Sequence, residues 1–183
     1  MKTNTSLQGL VYAALFGAGT AAGAYIMVPV PPVPITLQTL FLYLAGALLG
    51  GRLALLSQVV YLILGIIGLP VFAGGKAGLG VLFGPTGGYL IGFLVAAYIV
   101  GKWNEMVKRP SFPTVLLSMV AGTIPIYVLG VLQLFFVAKL ALGKAVAVGV
   151  VPFLIGDGIK IVVATLLTQR MMGHLRLTGK TND

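Results

Sequence analysis

Residues 148–167 read VGVVPFLIGDGIKIVVATLL, and Asp157 and Lys160 are the only charged residues in that stretch. A run of about 20 mostly apolar residues is what one helix needs to cross a bilayer. A carboxylate and an ammonium in such a run are costly unless they pair, face an aqueous cavity or bind something. An ionisable residue within a span therefore marks a candidate functional site. The i, i+3 spacing places the two on one helix face. A salt bridge that merely pins the helix to its neighbours is the competing reading, and isolated buried pairs rarely repay their desolvation. Asp157 is one of three acids in the 183-residue chain; Asp183 is the last residue, and Glu105 falls in a charged stretch read as a loop.

The rest of the chain has the same character. It is 58% hydrophobic and 8% charged, against about 25% charged in a soluble domain, and its mean hydropathy is +1.07. These values predict an all-α, multi-pass protein of the cell membrane, one compact domain surrounded by lipid bilayer. The net charge of +9 is scattered through short loops and the C-terminal tail. No basic patch is interleaved with aromatics, which argues against nucleic acid. With no cysteine, disulfides, thiolate metal sites and thiol catalysis are excluded. Lys2, the apolar run after it and the small residues around AAGA resemble a secretory signal, but the run is read as a helix that stays.

Six spans are expected, at about 7–27, 36–50, 53–69, 86–103, 113–138 and 146–172. Spans two and three are split by Gly50, Gly51 and Arg52, and both are short for a crossing. Pro125 is expected to kink span five. Six spans put both termini on one side. With the termini inside, the inner segments hold Lys2, Arg52, Lys102, Lys108, Arg109, Arg170, Arg176 and Lys180, and the outer loops hold only Lys76, Lys139 and Lys144. That bias predicts cytoplasmic termini. It also gathers three unusual features on the outer side: the proline loop VPVPPVPIT (28–36), the glycine loop VFAGGKAGLGVLFGPTGGY (71–89) and the outer end of span six with Asp157.

Pro29, Pro31, Pro32 and Pro34 favour a stiff, extended connector without hydrogen bonds of its own. The glycine loop is too long for a simple turn and too apolar, with Leu79, Val81, Leu82 and Phe83, to stand in water. It is expected to fold back as a lid or plug, its glycines allowing close approach of backbone to a ligand. A loop that only seals the bundle is the alternative. GGKAG is not a phosphate loop, because Lys76 is followed by Ala77 and not by Ser or Thr. No other nucleotide motif, Ser–His–Asp set or metal-ligand cluster is visible. The lone His174, beside the basic tail, reads as interfacial. An enzyme is not expected.

Span one carries two adjacent small-residue stripes, Ala14–Ala18–Ala22 and Ala13–Gly17–Ala21. Such stripes let another helix approach closely, within the bundle or from a partner. Gln58 and Gln133 read as ordinary interhelical hydrogen-bonders.

Three segments, VPPVPITLQ (30–38), GPTGGYLIGF (84–93) and PFLIGDGIK (152–160), together resemble the BioY family. Its members are the biotin-specific substrate-binding (S) components of energy-coupling factor (ECF) transporters. The likeness runs in order over nearly the whole chain. Ala14 and Ala18 are similar to the A-x-x-x-A motif by which S components dock on their membrane coupling subunit. The resemblance implies a six-helix S-component fold, one outward-facing biotin site, no cofactor and no ATPase of its own. It also implies as partners a membrane coupling subunit and a pair of cytoplasmic ATPases, with the loaded subunit toppling in the membrane to release the vitamin inside.

Biotin offers two ureido N–H donors and a carbonyl, an apolar bicycle, and a carboxylate on a short chain. Asp157 is expected to accept a ureido N–H, with Lys160 balancing it and donating to the ligand. A reversed pose points the carboxylate at Lys160. Tyr89 and Phe72 are expected to cover the bicycle, Gln38 to take part in the site, and the backbone of Gly74, Gly75, Gly87 and Gly88 to line it. A self-sufficient secondary transporter, an S component for another vitamin and a structural membrane protein or channel are the competing functions.

Overall fold

The computed structural model describes residues 6–108 and 110–174. Lys2, Arg109, Arg176, Lys180 and Asp183, and the side chain of His174, lie outside the described residues. The elements are α1 (Leu7–Tyr25), β1 (Met27–Val28), β2 (Ile35–Thr36), α2 (Gln38–Leu49), α3 (Gly51–Ile66), α4 (Leu79–Phe83), α5 (Gly87–Glu105), α6 (Phe112–Val137), α7 (Leu142–Gly149) and α8 (Val151–His174). Among the described residues, three helical stretches are long and apolar enough to cross a membrane: Leu7–Tyr25, Phe112–Val137 and Leu142–Met172, the last taking in α7 and α8. Two shorter apolar helices, α2 and α3, accompany them.

The bundle is organised around α2. Ten of its twelve residues are buried, so it is enclosed by protein and not by lipid. At about 1.5 Å per residue it is roughly 18 Å long, well short of the hydrocarbon core of about 30 Å. The turn from α2 to α3 is made by Gly50 at φ 82°, a region that side chains with a Cβ rarely occupy. Glu105 then caps α3: its Oε1 accepts from Gly51 N–H at 2.9 Å, where a carboxylate meets the positive end of the helix. Glu105 is thus the last residue of α5, not a loop residue as the charge pattern suggested.

α5 and α6 pack through small residues. A Cβ at Gly92 would stand 2.7 Å from Ile126 Cα, and Gly122 faces Val100 and Ala96. Close approach of this kind is what drives helix association in lipid. α6 continues through Pro125 without ending.

The expected sixth span is interrupted. Val150 (φ −127°, ψ −54°) separates α7 from α8, and Pro152 sits in the first turn of α8, where its missing donor costs nothing. Phe153 N–H turns back to Val150 O at 2.9 Å. Gly149 O accepts instead from the Tyr89 hydroxyl at 2.8 Å.

The proline segment also departs from expectation. Its flanks pair as a two-strand hairpin, Met27 with Thr36 and Val28 with Ile35. β-branched Val28, Ile35 and Thr36 suit that geometry, so the loop is closed at its base and is not a connector without hydrogen bonds. Val33 at its tip is buried.

Candidate functional site

The proline loop, the glycine loop, the start of α2, the middle of α6 and the start of α8 converge on one cavity. Its interior space is about 60 Å³, several times the roughly 10–15 Å³ that one water requires. Asp157 and Lys160 are both buried there, at 5% and 7% exposure. Their i, i+3 placement on α8 brings Lys160 Nζ to 2.5 Å from Asp157 Oδ1.

Neither charge relies on the other alone. Lys160 Nζ donates to Thr36 O at 2.9 Å and to Thr39 Oγ1 at 2.8 Å. An ammonium has three donors, and with Asp157 all three are used. Thr39 donates onward to Asp157 Oδ1 at 3.3 Å, and the Tyr127 hydroxyl donates to Asp157 Oδ2 at 2.5 Å. A carboxylate has about four lone-pair sites, so Oδ2 keeps acceptor capacity. The site therefore presents an acceptor backed by a neutralised, saturated cation. Among the described residues, no group of three His, Cys, Asp or Glu side chains is placed to hold a metal.

Gln38 lies beside this network. Its Oε1 accepts from Thr36 Oγ1 at 2.9 Å, and its amide nitrogen donates to the Tyr61 hydroxyl. Tyr61 in turn holds Phe72, ring edge to ring face, with centroids 5.7 Å apart at 84°. Phe72 lodges over Gly65, where a Cβ would collide with its ring. Gln38, Phe72 and Tyr89 all line the cavity, together with Val33, Phe93 and Phe153.

The four glycines expected to line the cavity with their backbone sit in the turns and packing of the glycine loop. Gly74 and Gly75, both at φ 72°, form a tight turn, closed by Phe72 N–H to Lys76 O at 3.0 Å and Gly75 N–H to Phe72 O at 2.9 Å. Gly87 and Gly88 pack against the carbonyls of Leu82 and Leu129 and the Gln133 side chain. These glycines shape the loop and seat it on α6. Gln133 is likewise not a bond between long helices. Its amide nitrogen donates to Leu82 O and Gly84 O, both at 2.6 Å, and so anchors the far end of the glycine loop. The Tyr25 hydroxyl donates to Pro70 O at the near end. Between these anchors Ala73, Lys76 and Val81 face the cavity.

Sequence reasoning missed Thr36, Thr39 and Tyr127. A polar residue in an apolar span was the available signal, but Thr39 and Asp157 are 118 positions apart and their meeting is a product of the fold. The structure also separates the stripes on α1. Ala13 and Gly17 are buried, and a Cβ on Gly17 would stand 2.8 Å from Ser57 O on α3. Ala14, Ala18 and Ala22 are exposed on the outside of the bundle.

The chain is similar to known proteins over almost its full length. The model of the BioY family matches residues 1–176. The biotin transporter BioY of Thermotoga maritima is 45% identical over 165 residues, covering 90% of this chain and 96% of that protein. The probable biotin transporter BioY of Pyrococcus horikoshii is 40% identical over 161 residues, covering 88% and 94%. The crystal structure of an S-component for biotin from an ECF-type ABC transporter superposes with a TM-score of 0.86 at 28% identity, covering 96% of each chain. The family of these relatives is one of transporter components and not of enzymes. On the family match and the identity to its members, the chain belongs to the BioY family.

Proposed function

We propose that this chain is the high-affinity biotin-binding S component of an ECF-type uptake transporter in the plasma membrane. α1, α2, α3, α5, α6 and the α7–α8 pair make six spans, with both termini cytoplasmic. Biotin is captured on the outer side and delivered inward together with a membrane coupling subunit and cytoplasmic ATPases. The observation that carries this reading is the buried Asp157–Lys160–Thr39–Tyr127 network at the cavity floor. Asp157 Oδ2 accepts a ureido N–H, a charge-assisted bond in a site shielded from water. Lys160 has no donor left for the ligand, which favours the ureido end, and not the carboxylate, at the floor. Tyr89, Phe72, Phe93 and Phe153 enclose the bicycle, and Gln38 supplies a further polar edge.

Native mass spectrometry of the purified protein should show co-purifying biotin, and calorimetry on stripped protein should show one site. A stripped protein that takes up no biotin would falsify this reading.

Orientation has its own test. The chain has no cysteine, so single cysteines report cleanly. Ala77→Cys and Gly143→Cys should react with an impermeant thiol reagent from outside, and Ser111→Cys should not. The opposite labelling pattern would move the site to the inner side.

The lid predicts a kinetic effect. Gln133→Glu keeps the shape and removes both donors to the Leu82 and Gly84 carbonyls. Leaving such groups unmet costs about 1–3 kcal/mol, so biotin should leave roughly 5- to 150-fold faster. An unchanged dissociation rate in stopped-flow exchange would show that Gln133 does not hold the lid.

A further inference from the structure

Tyr61 is fully buried on α3 and is not among the residues that line the cavity, yet it touches two that are. Its hydroxyl accepts from the Gln38 amide nitrogen, and its ring meets Phe72 edge to face, with centroids 5.7 Å apart. Gly65, one helical turn along α3 and on the same face, leaves the room in which the Phe72 ring sits. Packing on that ring holds the phenol still. On its other side, Gln38 Oε1 accepts from Thr36 Oγ1 at 2.9 Å, and Thr36 O accepts from Lys160 Nζ at 2.9 Å. One unbroken series of contacts thus runs from the glycine loop, through a side chain behind the cavity wall, to the charged pair on α8.

We propose that Tyr61 is a positioning residue, whose hydroxyl sets the Gln38 amide for the ligand from behind the cavity wall. The inference rests on the biotin reading above and adds what orients one of the polar groups of that site. A primary amide has two N–H donors and a carbonyl with two lone pairs. Tyr61 takes one N–H and Thr36 takes one lone pair, which leaves one of each for a ligand. Turning the amide over exchanges donor for acceptor. Held at both ends, Gln38 offers one polar pattern; held by Thr36 alone, it offers either. A side chain fixed in this way by a packed neighbour loses no freedom when the ligand arrives.

The test is a double-mutant cycle on the full-length protein, read by calorimetry and stopped-flow exchange of biotin, with thermal unfolding alongside. Tyr61→Phe removes the hydroxyl and keeps the ring against Phe72. It should weaken biotin binding about three- to tenfold, through faster dissociation, with entry past the glycine loop at the parent's rate. Gln38→Met should weaken binding at least as much. Adding Tyr61→Phe to Gln38→Met should cost no further affinity, because no amide remains to be oriented. The double variant also removes both polar partners, so it should unfold no more easily than Tyr61→Phe alone. Parent affinity in Tyr61→Phe or in Gln38→Met overturns the assignment. So does a Tyr61→Phe loss that persists in full in the Gln38→Met background, since the phenol then acts on the fold and not on the amide. If the parent itself takes up no biotin, the biotin reading falls and the Tyr61 assignment falls with it.

Discussion

Asp157→Asn should weaken biotin binding by at least about tenfold, and Lys160→Ala should do as much damage or more. The reason is the closed network around the pair. Asn keeps the shape of Asp157 and one acceptor oxygen but leaves Lys160 buried without its counter-charge. Ala at 160 leaves the Asp157 carboxylate facing Thr39 and Tyr127 with no cation, and frees Thr36 O and Thr39 Oγ1 of their donor. Breaking a buried pair by removing one partner costs about 3–5 kcal/mol, and each 1.4 kcal/mol is about tenfold in affinity. Part of that cost falls on the fold, so thermal unfolding should be followed beside the calorimetry. A double variant, Asp157→Asn with Lys160→Met, separates the two. It restores charge balance and should recover folding stability without recovering binding. If both single variants bind biotin as tightly as the parent, the pair is structural and the proposed site is wrong.

Ala14→Trp with Ala18→Trp should reduce biotin uptake in cells by about tenfold or more while the isolated protein still binds biotin. Both alanines lie on the exposed face of α1, so the indoles point away from the bundle. A partner helix that packs against small residues is then held off by a ring's width. Losing only 1.4 kcal/mol of docking energy lowers the assembled fraction about tenfold when assembly is limiting. Gly17→Trp gives the contrast. It drives a ring into the Ser57 carbonyl region of α3 and should damage folding and binding together. If the exposed alanine variants abolish binding as Gly17→Trp does, α1 is only part of the packing and offers no docking face. Full uptake in the Ala14→Trp, Ala18→Trp double variant, made without any ATPase partner, points to transport by this chain alone.

Much of the candidate site was legible because charge in an apolar run has few explanations. Asp157 and Lys160 stood out for that reason, and their helical spacing already placed them together. The length and apolar character of the glycine loop similarly pointed to a cover. What stayed hidden depended on long-range geometry or on signals with two meanings. Thr39 and Tyr127 are ordinary polar residues until α2 and α6 bring them to α8. Gly87 and Gly88 were read as ligand-facing, since a missing side chain serves close approach to a ligand and to a neighbouring helix equally well. The break at Val150 was obscured because Pro152 is tolerated near a helix start, so the apolar run read as one span. The role of Glu105 was missed because its partner, Gly51 N–H, is a backbone group on another helix.

The glycine loop is a strap with two buckles. One is the Tyr25 hydroxyl on the Pro70 carbonyl, on the α1 side; the other is the Gln133 amide on Leu82 and Gly84, on the α6 side. Undoing either leaves the strap hinged on the other, and Phe72 still seated on Tyr61 keeps the middle in place. In the proposed site, the loop can therefore open without the helices parting. The direction of gaping follows from which buckle yields. Release beside α1 exposes the Phe72 and Lys76 edge, and release beside α6 exposes the Val81 edge. Lid movements of this sort run in microseconds to milliseconds, and this doorway opens by undoing two hydrogen-bonded anchors.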